Sequence, residues 1–316
     1  VSATRVDEAA YRAAESALWA HHGIDPVERF VTARGTGTRV RAVEFGEGRP
    51  VVLVHGMPTA GGVFAPLVAA LTGVRAIVVD RPGCGLSDPL ELSGLTPERL
   101  TEANEAWLEA VVEQVAGEPV DLLGSSAGGM AAVSFAARRP ELVRSITLDG
   151  VPALRGMRLP VSMRAATFGP VAKATVRHRV VERDLRRSMR QMGHGEAFDD
   201  GRLSQADLDW RLAVARHTQT MRHDLALLGR VASWRGPRAE WAPGPAHVRA
   251  LSMPSLWVAG DRDPFASPDR VRAWARHAPQ PTVRIVRTGH QPWIDGAAEH
   301  AALLTQWWAR SSARAA

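Results

Sequence analysis

Ser126 stands at the centre of Gly124-Ser125-Ser126-Ala127-Gly128, a Gly-x-Ser-x-Gly pattern. Apolar residues 120–123 before it read as a strand, and residues 127–138 after it read as a helix that Pro140 ends. A sharp strand-to-helix turn needs small residues on both sides, because the incoming strand and the outgoing helix nearly touch. The turn lifts the serine oxygen out of the sheet and aims the first helical N–H groups at whatever the serine attacks. Serine is a poor nucleophile until a base takes its proton. Neutral imidazole is the usual base near pH 7, and an acid group must orient it and stabilise its protonated form. The chain supplies both after Ser126, each just beyond a predicted strand. Residues 256–259 lead into Gly260-Asp261-Arg262-Asp263-Pro264, and residues 283–286 lead into Arg287-Thr288-Gly289-His290. The order Ser126, Asp263, His290 sets three polar side chains at the carboxyl ends of strands, the edge where open α/β sheets hold their sites. Taken singly, Ser126 is equally a small residue in a tight turn and His290 a surface-loop histidine.

Those positions presuppose a parallel sheet, and the rest of the pattern supplies one. Residues 5–20 read as an amphipathic helix marked by Ala9, Ala13, Leu18 and Trp19. Residues 30–33 and 39–45 flank Gly35-Thr36-Gly37 and read as a hairpin. Residues 51–54 form a continuous apolar run ending in His55-Gly56-Met57-Pro58, as a strand buried on both faces requires. A strand at 76–79 is closed by Asp80-Arg81-Pro82-Gly83-Cys84-Gly85-Leu86-Ser87, and Thr96-Pro97-Glu98 starts a helix over 97–116. After a strand at 145–148 the alternation stops. Residues 151–250 read as helical, over 161–192, 204–217 and 219–233, with a capping box at Ser204-Gln205-Ala206-Asp207. The sheet pattern resumes with strands at 255–259 and 282–286, a helix at 268–277 between them and a last helix at 297–310. This predicts one α/β core, residues 1–150 with 251–316, carrying a helical insertion at 151–250.

These residues resemble the α/β-hydrolase superfamily, and specifically its cap-bearing, esterase-like serine hydrolases. The resemblance rests on His55-Gly56, the Asp80–Ser87 loop, Gly124-x-Ser126-x-Gly128, Gly260-x-x-Asp263-Pro264 and Gly289-His290, in that order. It implies an α/β-hydrolase fold: a mostly parallel eight-stranded sheet flanked by helices, with a helical cap after the sixth strand. It implies Ser126 as nucleophile, His290 as general base and Asp263 as orienting acid. It also implies an oxyanion hole from the backbone N–H groups of Met57 and Ala127. Asp261 shares the loop of Asp263, but family members place the acid three residues after this glycine. Asp149, closing the strand before the insertion, is a less common acid position. Ser125, His55, Asp80 and Arg81 read as structural, and Cys84 as a packed, inert thiol.

Composition bounds the partners. Hydrophobic residues at 45% and charged residues at 23% are those of a globular protein. One cysteine allows no intrachain disulfide, and neither a leader pattern nor an apolar run of membrane-spanning length is visible. We therefore expect a cytoplasmic protein with no transmembrane segment; the sequence is silent on oligomeric state. His21, His22, His194 and His217 lack metal-ligand spacing, so no metal and no cofactor is expected. The formal charge of +6 is unevenly placed: residues 151–250 hold 18 Arg and Lys against 9 Asp and Glu. No basic stripe with interleaved aromatics accompanies it, so no nucleic-acid partner is expected. A solvated helical surface accounts for such charge, as does a surface that attracts anions.

The expected reaction is hydrolysis of a carboxylic ester of a mainly apolar small molecule through an acyl-enzyme. Leu185, Met189 and Met192 share one helical face, and Met157, Met163 and Met221 add adaptable apolar surface. Serine at 126 argues against dehalogenases and epoxide hydrolases, which need a carboxylate there. Carbon–carbon bond hydrolases of ring-cleavage products usually carry Asn, Ser and Met around the elbow and an aromatic after the histidine. Ser125, Ala127 and Gln291 stand at those positions here, with Trp293 two residues further on. Acyl transfer, lactone formation and a non-catalytic receptor on the same fold use the same residues and remain competitors.

Overall fold

The computed structural model describes residues 6–313, so the first residue of the expected helix 5–20 and both chain ends lie outside the described residues. Helix α1 (Glu8–His21) precedes strands β1 (Val27–Thr32), β2 (Arg39–Phe45), β3 (Arg49–Val54) and, after the short α2 (Ala65–Ala70), β4 (Val74–Val79). Helix α3 (Pro97–Val111) runs on through a π turn to Ala116 and leads into β5 (Val120–Gly124), α4 (Ala127–Arg138) and β6 (Val143–Asp149).

The insertion follows β6. It holds α5 (Val161–Ala166), α6 (Gly169–Arg177), α7 (Glu182–Gln191), α8 (Gly195–Asp199), α9 (Gln205–His217) and α10 (Thr220–Val231). A two-residue antiparallel pair, β7 (Ala232–Ser233) with β8 (Gly236–Pro237), and α11 (Pro245–Arg249) complete it. The chain then returns through β9 (Ser255–Gly260), α12 (Pro268–Ala275), β10 (Pro281–Val286), α13 (Pro292–Asp295) and α14 (Ala297–Ala313).

Eight strands form one sheet in the order β1-β2-β4-β3-β5-β6-β9-β10. β2 runs antiparallel to β1 and β4, and every other pairing is parallel. Strand order reverses between β3 and β5, where Val54 pairs with Gly124. Such a switch point leaves a crevice at the carboxyl ends of the strands. Alternate residues of the central strands feed two cores. Val52, Val54, Leu122, Trp257 and Ala259 pack with Trp107 of α3 and Phe135 of α4. Val51, Leu53, Leu123, Leu256 and Val258 pack with Leu18 of α1, Leu67 of α2 and Trp308 of α14. A period of two with both faces buried explains why these strands read as unbroken apolar runs.

The insertion departs from expectation in detail. Residues 161–192 are three helices, because Pro170 lacks an amide hydrogen and starts α6 rather than continuing α5. The chain turns extended at His178 before α7. Helix α8 was not anticipated, and the expected helix to 233 stops at Val231, where the β7–β8 pair begins. The capping box of α9 forms as its sequence predicts: Ser204 Oγ accepts from the Asp207 amide at 3.1 Å, and Asp207 Oδ2 accepts from the Ser204 amide at 2.9 Å.

Candidate active site

Ser126 adopts φ 53° and ψ −115°, the one positive φ among the described non-glycine residues. A conformation of this kind costs about 1–3 kcal/mol and persists only where its surroundings over-determine it. Here Ser125 donates its amide to Val54 O at 2.9 Å, Gly128 to Ser125 O at 2.7 Å and Ala153 to Ser126 O at 3.0 Å. The two flanking glycines are required by contact. A Cβ on Gly128 would stand 2.1 Å from Val54 O, and one on Gly124 would stand 2.7 Å from Gly128 O. Strand β3 and the start of α4 thus approach closely enough to force the serine outward.

His290 follows β10, and Asp263 follows β9. His290 Nδ1 and Asp263 Oδ2 lie 2.7 Å apart, both side chains buried. The carboxylate is fixed from two further sides: Oδ2 accepts from the Val151 amide at 3.1 Å and Oδ1 from the Phe265 amide at 2.9 Å. Phe265 also stacks on the imidazole, with ring centroids 4.1 Å apart. A carboxylate at Nδ1 favours the tautomer with its proton there, which leaves Nε2 as an acceptor. That Nε2 is buried and has no hydrogen-bond partner. The competing acids lie elsewhere. Asp261 accepts from the Thr288 amide at 3.2 Å and is half exposed, while Asp149 Oδ2 pairs with His300 Nε2 at 2.7 Å.

The loop after β3 brings Met57 to the same place. His55 braces it, with Nδ1 against Gly56 O at 2.8 Å and Nε2 accepting from the Arg81 amide at 3.0 Å. Burial, reinforced by the Arg81 charge, pushes the His55 pKa down to about 4, so the ring stays neutral and keeps that acceptor. Arg81 spans to the insertion through Asp224 at 2.8 Å. Asp80 accepts from the Gly61 and Leu86 amides, which shapes the loop that the sequence marked. Burial pushes the Cys84 thiol well up, consistent with an inert packed side chain.

Ser126, Ala127 and Met57 line a small space of about 50 Å³. It adjoins a cavity of about 540 Å³ lined by Met57 and His290 and, from the insertion, Leu185, Met189, Met192 and Met221. Met163, Leu228 and Phe265 border both. Arg211 of α9 also lines the larger cavity; its Nε is buried without a partner, and among the described residues no carboxylate comes within 4 Å of it.

One contact was invisible to sequence reasoning. His194, between α7 and α8, is fully buried, with Nδ1 2.7 Å from Asp295 Oδ2 and Nε2 accepting from the Gln291 amide at 2.9 Å. Asp295 also accepts from Thr288 Oγ1 and from the Gly289 amide, and the His290 amide donates to Met192 O at 2.9 Å. The insertion is therefore bonded directly to the loop that carries His290. No spacing rule links residue 194 to residue 295. The fold also gathers ligand atoms of His21, His22 and Asp207 within 4.8 Å of one another, a grouping that spacing did not suggest. Asp207 there already serves His22 and the α9 cap.

Comparison with known proteins agrees with this architecture. The model of the alpha/beta hydrolase fold family matches residues 49–297. The pimeloyl-[acyl-carrier protein] methyl ester esterase of Stenotrophomonas maltophilia (strain K279a) is 32% identical over 264 residues, covering 82% of this chain and 92% of that protein. The 2-hydroxy-6-oxononadienedioate/2-hydroxy-6-oxononatrienedioate hydrolase of Cupriavidus pinatubonensis is 30% identical over 251 residues, covering 76% and 81%. Among solved structures, naproxen esterase (carboxylesterase NP) from Bacillus subtilis has the same fold, with a TM-score of 0.67 at 17% identity over 95% of this chain and 97% of that one. No helix among the described residues is long and apolar enough to cross a membrane. With the elbow at Ser126, the eight-stranded sheet and these relatives in agreement, the chain belongs to the α/β-hydrolase family and is a hydrolase of that fold.

Proposed function

We propose that this protein hydrolyses a carboxylic ester of a mainly apolar small molecule through an acyl-enzyme on Ser126. The observation that carries the reading is His290 Nε2, buried without a partner beside the serine's cavity while Asp263 holds Nδ1. A buried acceptor left open in this way is suited to a proton that arrives during reaction. Ser126 Oγ attacks the ester carbonyl as His290 Nε2 takes its proton. The amides of Met57 and Ala127 receive the oxyanion; among the described residues, no hydrogen bond occupies either. Collapse of the tetrahedral intermediate releases the alcohol, which leaves with the proton from His290. Water then attacks the acyl group by the same route, and the acid product departs. Asp263 holds the ring and stabilises its protonated form. Residues 151–250 act as a cap over a core of 1–150 with 251–316, and the cap's methionines supply an adaptable wall for the acyl group.

Labelling by a fluorophosphonate, lost in Ser126→Ala, together with turnover of p-nitrophenyl esters tests the reading. A drop of about 10⁶ in kcat for Ser126→Ala is expected. Labelling without turnover of any ester would instead favour an acyltransferase or a receptor. A second reading, carbon–carbon bond hydrolysis, is favoured by Arg211, whose unpaired guanidinium in the cavity suits an acidic substrate. Incubation with 2-hydroxy-6-oxononadienedioate, the substrate named for the Cupriavidus relative, decides between them: cleavage faster than that of any ester replaces the first reading.

A further inference from the structure

The insertion holds a second, larger cavity of about 790 Å³ between α6, α9 and α10. Its charged lining is entirely basic: Lys173 and Arg177 of α6, Arg179 beyond it, Arg216 of α9 and Arg222 of α10, with no Asp or Glu. Among the described residues, none of these five cations has a carboxylate within 4 Å; Arg216 is occupied by Val180 O, and the other four carry no side-chain hydrogen bond. Asp184, which lines the neighbouring cavity, is taken by His178 at 2.8 Å. Cations gathered around one concavity repel each other and raise the local potential for anions. A solvated surface with interspersed acids would lower that potential, but among the described residues no acid lines this concavity. The cavity adjoins the one beside His290, with Ala166, His178, Val180, Ala215 and Leu225 lining both. In order, then, stand a basic concavity, a largely apolar chamber that also holds Arg211, and the small space at Ser126.

Resting on the ester-hydrolase reading above, we propose that the basic mouth is a binding site for an anionic group, carboxylate or phosphate, at the far end of an acyl substrate. The acyl chain fills the apolar chamber and the scissile ester reaches Ser126. The mouth selects amphiphiles with a terminal anion over neutral esters of the same length and draws them in electrostatically. Arg177 and Arg222 face the cavity from different helices and make no structural bond, so they can be changed without touching the catalytic machinery.

Three esters of one length test this: p-nitrophenyl octanoate, the mono-p-nitrophenyl ester of octanedioic acid, and p-nitrophenyl 8-phosphonooxyoctanoate. The two anionic esters are expected to show the lower KM, rising with ionic strength, and whichever is lower identifies the anion. In Arg177→Glu/Arg222→Glu, their KM should rise about tenfold while that of the octanoate ester stays within about twofold. Thermal unfolding of the variant checks that it is folded. Equal responses of neutral and anionic esters to salt and to charge reversal would overturn the proposal. Binding is read separately from turnover by titrating octanedioic acid into Ser126→Ala with and without the charge reversal. A tenfold loss there supports the site even if the reaction proves not to be ester hydrolysis. An unchanged affinity refutes it even if the ester chemistry stands.

Discussion

Arg41 and Arg177 carry the same charge into opposite surroundings. Arg41, on β2, is buried and meets Glu15 of α1 at 2.6 Å, Glu28 of β1 at 2.5 Å and Asp80 at 3.1 Å. Arg177, on α6, is exposed and has no carboxylate within 4 Å. The pair stands for two regions. Core arginines such as Arg29, Arg49, Arg138, Arg139 and Arg144 each hold an acid from another part of the chain. In residues 151–250, among the described residues, only Arg186, Arg190 and Arg202 meet a carboxylate at all. A guanidinium buried among acids locks neighbouring elements together, because removing it strands charges in a low-dielectric setting. One left unpaired at the surface contributes little to stability and remains available to a ligand. Much of the core's arginine serves as mortar, while most of the insertion's meets no acid among the described residues.

The largest expected effect falls within the core. Asp263→Asn preserves the shape of the site but favours the wrong imidazole tautomer, and kcat for the best p-nitrophenyl ester should fall about 10⁴-fold. A loss under tenfold would mean that another acid, such as Asp261, can serve His290. Next comes Arg41→Ala, which strands Glu15 and Asp80 and should cost about 3–5 kcal/mol in urea unfolding.

Acid comes third. His55 is held near 4 in the fold against an ordinary value of 6.5, so the unfolded chain binds this proton more readily between those limits. Its contribution is fully present above pH 6.5 and is lost as pH falls toward 4, about 3 kcal/mol in all. His194, lowered by burial despite Asp295, acts in the same direction. Unfolding midpoints at pH 7 and pH 4.5, in wild type and His55→Asn, measure this, and the variant should show the shallower dependence. The smallest effect is Arg177→Ala, expected to change stability by less than about 0.5 kcal/mol. A cost matching that of Arg41→Ala would erase the distinction between the two regions.

How much was legible in the sequence follows the same division. The sheet was readable because its strands are buried on both faces and their loops carry fixed glycines and acids: Gly124 and Gly128 at the elbow, Asp80 in its loop. Strand ends brought Ser126, His290 and the loop of Asp261 and Asp263 to one edge of a parallel sheet, and the choice of Asp263 came from the resemblance to the family. The insertion resisted. Its helices pack on one another and on the core through side chains at helical spacing, which fixes neither length nor partner, so 161–192 read as one run until Pro170 divided it. His194 meets Asp295 across 101 residues with no periodicity to announce it. The basic excess of 151–250 was plain in the composition, but its concentration around one cavity depends on how α6, α9 and α10 come together.

The bonds from Met192 and His194 to the loop of His290 bear on how such an enzyme would open. Raising the insertion at that seam would tear the His290 amide from Met192 O and the Gln291 amide from His194. The loop would lose its two bonds to the insertion while its bonds to Asp261, Asp263 and Asp295 remained. Opening at that seam would thus loosen the histidine's loop on one side as it exposed the site. A route that left both bonds untouched would lie on the other side, past Arg222 and Lys173, where among the described residues no hydrogen bond ties the helices to the histidine's loop.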